Sequence, residues 1–316
     1  MRGLPEARVP IDLGDPLLAE LLAVAPLADW PTIRALLAKH DTRSQDITCL
    51  IWNVGRQATD TLSDWLPAAL DAEQDDPLAL AMLASLKINQ GWEVRTGLRA
   101  HHVSKSQFET FHSLLGEAQD LLYRASEIDS DSAVPWYFLL ELCLGLNPGV
   151  DVSERRLEAV KSRCPGNLYS HRTMFNILCR KWYGSHDAMH TFAREALHGP
   201  HALLLGELTA HAHIERWLDI SDKDEKATYM HQPAVRAELL EAAELSILQQ
   251  DYAFPRNPYY AANMFAMAFG LAGMWQEAFE AFKATEGVVT GRWVYINGKD
   301  PAKAYDAWRN FVIKKL

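Results

Sequence analysis

Long hydrophobic runs are missing from this 316-residue chain. No stretch approaches the ~18 consecutive apolar residues of a membrane-spanning helix, so a membrane span is not expected. The start, Met1 to Pro10, has two arginines but no apolar core after them, because Asp12, Asp15 and Glu20 interrupt. A secretory signal is therefore not expected there. Cysteine is scarce: Cys49, Cys143, Cys164 and Cys179 are spread out with no C-x-x-C pair. That excludes a disulfide framework and a thiolate metal site, and fits a reducing, cytoplasmic setting. Cys143, inside the apolar run Phe138–Leu146, reads as a small core residue.

Positive charge is also short. Lys and Arg number 31 against 41 Asp and Glu, for a net charge of −10 and a pI near 5.6. Nucleic-acid binders draw most of their affinity from neutralising phosphates, so neither nucleic acid nor an anionic membrane is an expected partner. One local exception runs from 154 to 181, where Arg155, Arg156, Lys161, Arg163, Arg172, Arg180 and Lys181 face only Glu154 and Glu158. Solvated helix faces explain such a run, and a small anion-binding groove is the other reading. No G-x-S-x-G, G-x-x-x-x-G-K-[ST] or G-x-G-x-x-G occurs, which disfavours acyl transfer and nucleotide chemistry. Alternating strand patterns are nearly absent, with Gly287–Ile296 as the best candidate for a strand or hairpin.

Helical periodicity fills the rest. Apolar residues recur every three or four positions in Leu17–Val24, Leu78–Ile88, Phe108–Ala125, Trp136–Leu144, Ala188–Leu197, Leu203–Leu218, Val235–Leu248 and Asn263–Leu271. The expected fold class is all-α. Ser104 and Ser185 are N-cap candidates, since a serine oxygen accepts from open first-turn amides. Asn147-Pro148-Gly149, Cys164-Pro165-Gly166-Asn167 and Gly199-Pro200 break helices. Residues 91–105 and 219–233 read as insertions, the latter as a polar surface loop. The expected organisation is one continuous helical array: N-terminal helices over 1–65, degenerate repeat units over 66–290 and a capping segment over 291–316.

The segment IDSDSAVPWYFLLELCLGL places an aspartate-rich turn, then Pro135-Trp136, then a helix. Ala118, Leu122 and Ala125 precede it at spacings that let two helices approach closely. Leu157 and Val160 before Pro165, and Ala278 and Phe282 after Gly273, repeat that spacing. The pattern resembles tetratricopeptide repeats, and implies a stack of antiparallel helix hairpins, a right-handed α-solenoid in which each hairpin buries its apolar face on its neighbours. Lys181-Trp182-Tyr183-Gly184-Ser185-His186 and Gly91-Trp92-Glu93-Val94-Arg95 are also similar to segments of an uncharacterised bacterial family of tetratricopeptide-like proteins, a resemblance that brings no activity with it.

In such a superhelix the first helix of each hairpin meets the ligand. The resemblance implies groove positions at Tyr137 and Glu141, at Tyr169, Arg172 and Asn176, and at Tyr260 and Asn263. Arg172 with Asn176 resembles the pairing by which some tetratricopeptide domains clamp a peptide carboxylate, and a guanidinium suits bidentate capture. The first expectation is therefore a non-catalytic scaffold for a protein or peptide, without cofactor, its acidic charge favouring a basic partner. An enzyme acting on a small molecule is the alternative. Eight of the twelve histidines lie between 171 and 231, and His186, His190, Glu207 and His211 include i,i+4 pairs that share a helix face. These would be the ligands of a divalent metal ion held between helices. The E-x-x-H pairs Glu109/His112 and Glu195/His198 have the spacing of di-iron bundles, at a frequency chance alone supplies.

Overall fold

A computed structural model describes residues 4–71, 75–97, 102–252, 256 and 259–316. Among them the secondary structure is helical, with one isolated parallel bridge between Arg8 and Val288. No helix of the described residues is long and apolar enough to cross a membrane. The chain divides into two compact units, Asp15–Ile177 and Leu178–Leu316, the second including the N-terminal segment up to Gly14.

The first unit runs through α1 (Pro16–Val24), α2 (Trp30–Leu37), α3 (Gln45–Gln57), α4 (Thr59–Ser63), α5 (Leu66–Leu70), α6 (Pro77–Arg95), α7 (Lys105–Ile128), α8 (Val134–Leu146), α9 (Val150–Lys161) and α10 (Leu168–Leu178). Local chemistry sets many of its starts. Asp15 and Asp76 cap α1 and α6 ahead of a first-turn proline, whose missing N–H costs nothing there. Ser104 caps α7 in a capping box with Gln107, a device contributing ~1 kcal/mol. The packing pairs are α6 with α7, α7 with α8, and α8 with α9. Ala118, Leu122 and Ala125 of α7 are wholly buried, and Leu157 and Val160 of α9 are buried too.

One helix, α3, contacts α6, α8 and α10. α3 packs on α6 and α8, its Trp52 ring lies 6.5 Å from Tyr137 and 6.2 Å from Phe138, and Gln45 accepts the Leu168 amide at 3.1 Å. The Tyr169 hydroxyl donates to the Cys49 thiol at 2.8 Å.

The second unit holds α11 (His186–Leu197), α12 (Ala202–Leu205), α13 (Glu207–Asp219), α14 (Lys223–Tyr229), α15 (Pro233–Glu244), α16 (Tyr259–Leu271), α17 (Trp275–Ala284), α18 (Val294–Asn297) and α19 (Pro301–Ile313). α13 packs on α11, α15 and α16, and α16 pairs with α17, which packs on α19. Phe265, Phe269, Phe282, Trp293 and Tyr305 form the aromatic heart of the core. Gly273 turns α16 into α17 with φ +69°, a conformation a side chain would strain.

Two local expectations are corrected. The 219–233 segment is not a loop throughout: Asp222 accepts from the Asp224 and Glu225 amides and starts α14. Residues 287–296 form no hairpin: Val288 makes the single bridge to Arg8, and the chain then coils so that Trp293 is fully buried. Within the 91–105 insertion, α6 continues to Arg95 and residues 98–101 lie outside the described ones.

Candidate functional site

Of the expected groove residues of the first unit, Tyr137 and Tyr169 lie against α3. Tyr137 and Tyr169 are buried, and burial raises both phenols well above their ordinary range. The Thr173 hydroxyl donates to Glu141 at 2.6 Å. Burial raises the Glu141 carboxyl, opposed by that hydrogen bond and by the charge of Arg56. Arg172 stacks over the Tyr169 ring at 5.5 Å, and Asn176 is half-buried. In the second unit Tyr260 accepts from the Arg292 Nε at 3.1 Å. Asn263 is fully buried, its amide spent on Tyr259, Val288, Thr290 and Trp293. It is a core residue and presents nothing to a groove.

The four expected metal ligands form no single cluster among the described residues: they remain two i,i+4 pairs, one on α11 and one on α13. Glu207 and His211 are buried on α13. His211 Nε2 lies 3.4 Å from Glu215, which also pairs with Lys181 at 2.6 Å and faces Arg292 at 3.8 Å. Burial, reinforced by the Arg292 charge, pushes His211 down to about 4. Burial alone would raise Glu215, but its contacts with His211 and Lys181 outweigh that and hold it at about 2. Cys179 beside this network is pushed up to about 12 by burial, with the Glu215 charge adding to it. His186 turns to Asp219 at 2.8 Å, where Arg180 also binds.

His190 meets other partners. An open polar cleft of 530 Å³ has α13 as its floor and α11 and α15 as its walls, with Tyr229 at the end of α14. His186, His190 and Arg194 line it, four apart along α11. His190 and His213 stand edge to face with ring centroids 4.9 Å apart. His213 Nε2 is 3.1 Å from Glu238 Oε2, and its Nδ1 is 2.9 Å from the Tyr229 hydroxyl. Arg194 holds the other Glu238 oxygen at 3.2 Å. The His213 hydrogen bond, against burial and helped by the Arg194 charge, holds Glu238 at about 2. Burial and then the neighbouring His213 push His190 to about 4, so its imidazole is neutral at pH 7 and able to accept.

Sequence spacing points to His190 but not to its companions. His211 and His213 are two apart, so a helix turns them to different sides. Glu238 lies on another helix, where no fixed spacing marks it.

α18 and α19, with Trp217 of α13, build a second, apolar groove of 490 Å³ lined by Trp217, Ile296, Ala307, Trp308 and Phe311. Trp308 and Phe311 stand T-shaped at 5.9 Å, and Trp275 approaches Phe311 from the other side at 5.5 Å. Lys226 sits over the Trp217 ring and Lys315 over the Phe311 ring. In comparisons with known proteins, the chain matches no family model and no curated protein matches it in sequence.

Proposed function

We propose that this chain is a non-catalytic protein-binding scaffold built from tetratricopeptide-like helix hairpins, with its peptide site in the apolar groove of the second unit. The hairpins α6–α7, α8–α9 and α16–α17, with small residues such as Ala118, Ala125 and Ala278 buried between helices, support the repeat reading. The observation that carries the binding reading is the Trp217, Trp308 and Phe311 groove, in which Phe311 is 43% exposed. Exposed aromatics over a concave apolar floor are the anchors from which interfaces draw most of their energy.

The partner is a peptide segment with one large apolar side chain and flanking acidic residues. The net charge of −10 favours a basic partner at long range, but salt screens beyond about 8 Å. Within that distance the nearest cations are Lys226 and Lys315, which lie over the Trp217 and Phe311 rings of the groove. The test is selection from a displayed random-peptide library on the purified protein and on Phe311→Ala. Enrichment of apolar-anchored, acid-flanked peptides that bind Phe311→Ala at least tenfold more weakly supports the scaffold. Selected peptides indifferent to Phe311→Ala, or no enrichment, overturn it.

A second reading is an enzyme acting on a small molecule. The neutral His190 facing the polar cleft favours it, and its test is turnover by the protein that is lost in His190→Ala.

A further inference from the structure

His190 lines the polar cleft, yet among the described residues its ring nitrogens make no hydrogen bond; its described contact is the ring of His213. A half-buried imidazole on the wall of an open cleft keeps its lone pair available to whatever enters the cleft. We propose that His190, His213 and Glu238 form a binding site for a divalent transition-metal cation of the zinc type, one ligand from each of three helices. This stands apart from the peptide groove.

The donor set supports the assignment. One nitrogen from each histidine and one Glu238 oxygen lie within 4.8 Å of one another. Two imidazoles and a carboxylate are the borderline donors that suit zinc, whereas calcium and magnesium prefer all-oxygen sites. Zinc–ligand bonds of ~2.0–2.1 Å put tetrahedral neighbours about 3.4 Å apart. His213 Nε2 and Glu238 Oε2, at 3.1 Å, are already near that spacing, and from within 4.8 Å His190 has to close in by at most about 1.4 Å.

The outer contacts are those a metal site uses. With a cation bound, His213 Nδ1–H donates to the Tyr229 oxygen at 2.9 Å, leaving the Nε2 lone pair for the metal. That fixes the tautomer, as the partners of metal-bound histidines do. Without a cation the Tyr229 hydroxyl donates to Nδ1 instead, and Nε2–H donates to Glu238. The same heavy-atom positions serve both states: on metal binding the imidazole proton moves from Nε2 to Nδ1 and the Tyr229 hydroxyl proton turns away towards the cleft water. Arg194 occupies the Oε1 side of Glu238, so the carboxylate offers Oε2 alone and binds through one oxygen. Its positive charge opposes a cation, but the side chain is half exposed and screened by water. Three protein ligands leave a fourth position for water or a small molecule from the cleft.

The experiment is competition for Zn²⁺ between metal-stripped protein and a chromophoric chelator. One ion per chain is expected, with at least tenfold weaker binding in both His190→Ala and Glu238→Gln. Tyr229→Phe, which removes the tautomer partner, should weaken binding about tenfold. His198→Ala, at an exposed histidine outside the triad, should leave affinity unchanged. Thermal unfolding with and without Zn²⁺ supplies a second readout: the ion should raise the melting temperature of the native chain and not that of His190→Ala. Absence of stoichiometric binding, equal affinity in His190→Ala, or loss in His198→Ala would each overturn the site.

Discussion

The Asn263 carboxamide accepts the Trp293 indole N–H at 2.7 Å, while its own NH₂ donates to the carbonyls of Tyr259 at 2.7 Å and Val288 at 2.9 Å. One buried side chain therefore ties α16 to the segment between α17 and α18. Asn263→Leu keeps the volume but strands the indole N–H and the Val288 carbonyl without water. A loss of about 3 kcal/mol is expected in urea unfolding, since each orphaned buried group costs ~1–3 kcal/mol. In a double-mutant cycle with Trp293→Phe, the two losses should sum to more than the double variant shows.

Arg156 of α9 is 6% exposed. Its fork donates to the Leu139 carbonyl at 2.6 Å, and at 3.2 Å to both Gln119 and the Tyr123 hydroxyl. These acceptors sit on two other helices, so planarity as well as charge is used. Lysine has neither the fork nor the reach to satisfy them. Arg156→Lys should therefore destabilise the protein by about 2 kcal/mol in chemical denaturation, nearly as much as Arg156→Ala. A lysine that restores native stability would refute this account.

Glu141 makes stability depend on pH. Burial raises its folded pKa above the ordinary 4.5, so the native state holds this proton more tightly than the unfolded chain. That contribution is fully present below the ordinary pKa and is lost as pH rises through the raised folded value. Glu141→Gln keeps an acceptor for the Thr173 hydroxyl without the buried charge. Its unfolding midpoint should exceed that of the native protein at about pH 7, and the gap should close towards about pH 4.

Gly184 gives the Trp182-Tyr183-Gly184-Ser185 segment a physical reason. A Cβ there would overlap the Leu178 backbone, where the Gly184 amide donates to the Cys179 carbonyl at 3.3 Å. Backbone cannot swing aside as a side-chain tip can. Gly184→Ala should cost about 2 kcal/mol or more, read as a lowered melting temperature.

What the sequence makes legible is what neighbours in sequence decide. Ser104 and Ser185 are recognisable caps because oxygen and amide lie three residues apart, and both bonds form. The all-α class follows from periodicity for the same reason. The contact of Cys49 with Tyr169 joins residues 120 apart, and His213 with Glu238 joins two helices with no fixed offset. Nothing local distinguishes a helix that packs on its neighbours, as α3 does, from one that merely precedes them. Tyr137 and Tyr169 therefore read as groove residues although they are buried. The polar 219–233 stretch hid a helix because Asp222 supplies a cap while its composition suggests only solvent exposure.

The position of α3 has a competitive consequence. Being part of the same chain, it is held beside the face it contacts at an effective concentration in the millimolar range, as for any short tether. A free helix of equal intrinsic affinity would have to reach that concentration to take half of the face. An external segment would therefore have to bind this surface better than residues 45–57 do in order to displace them.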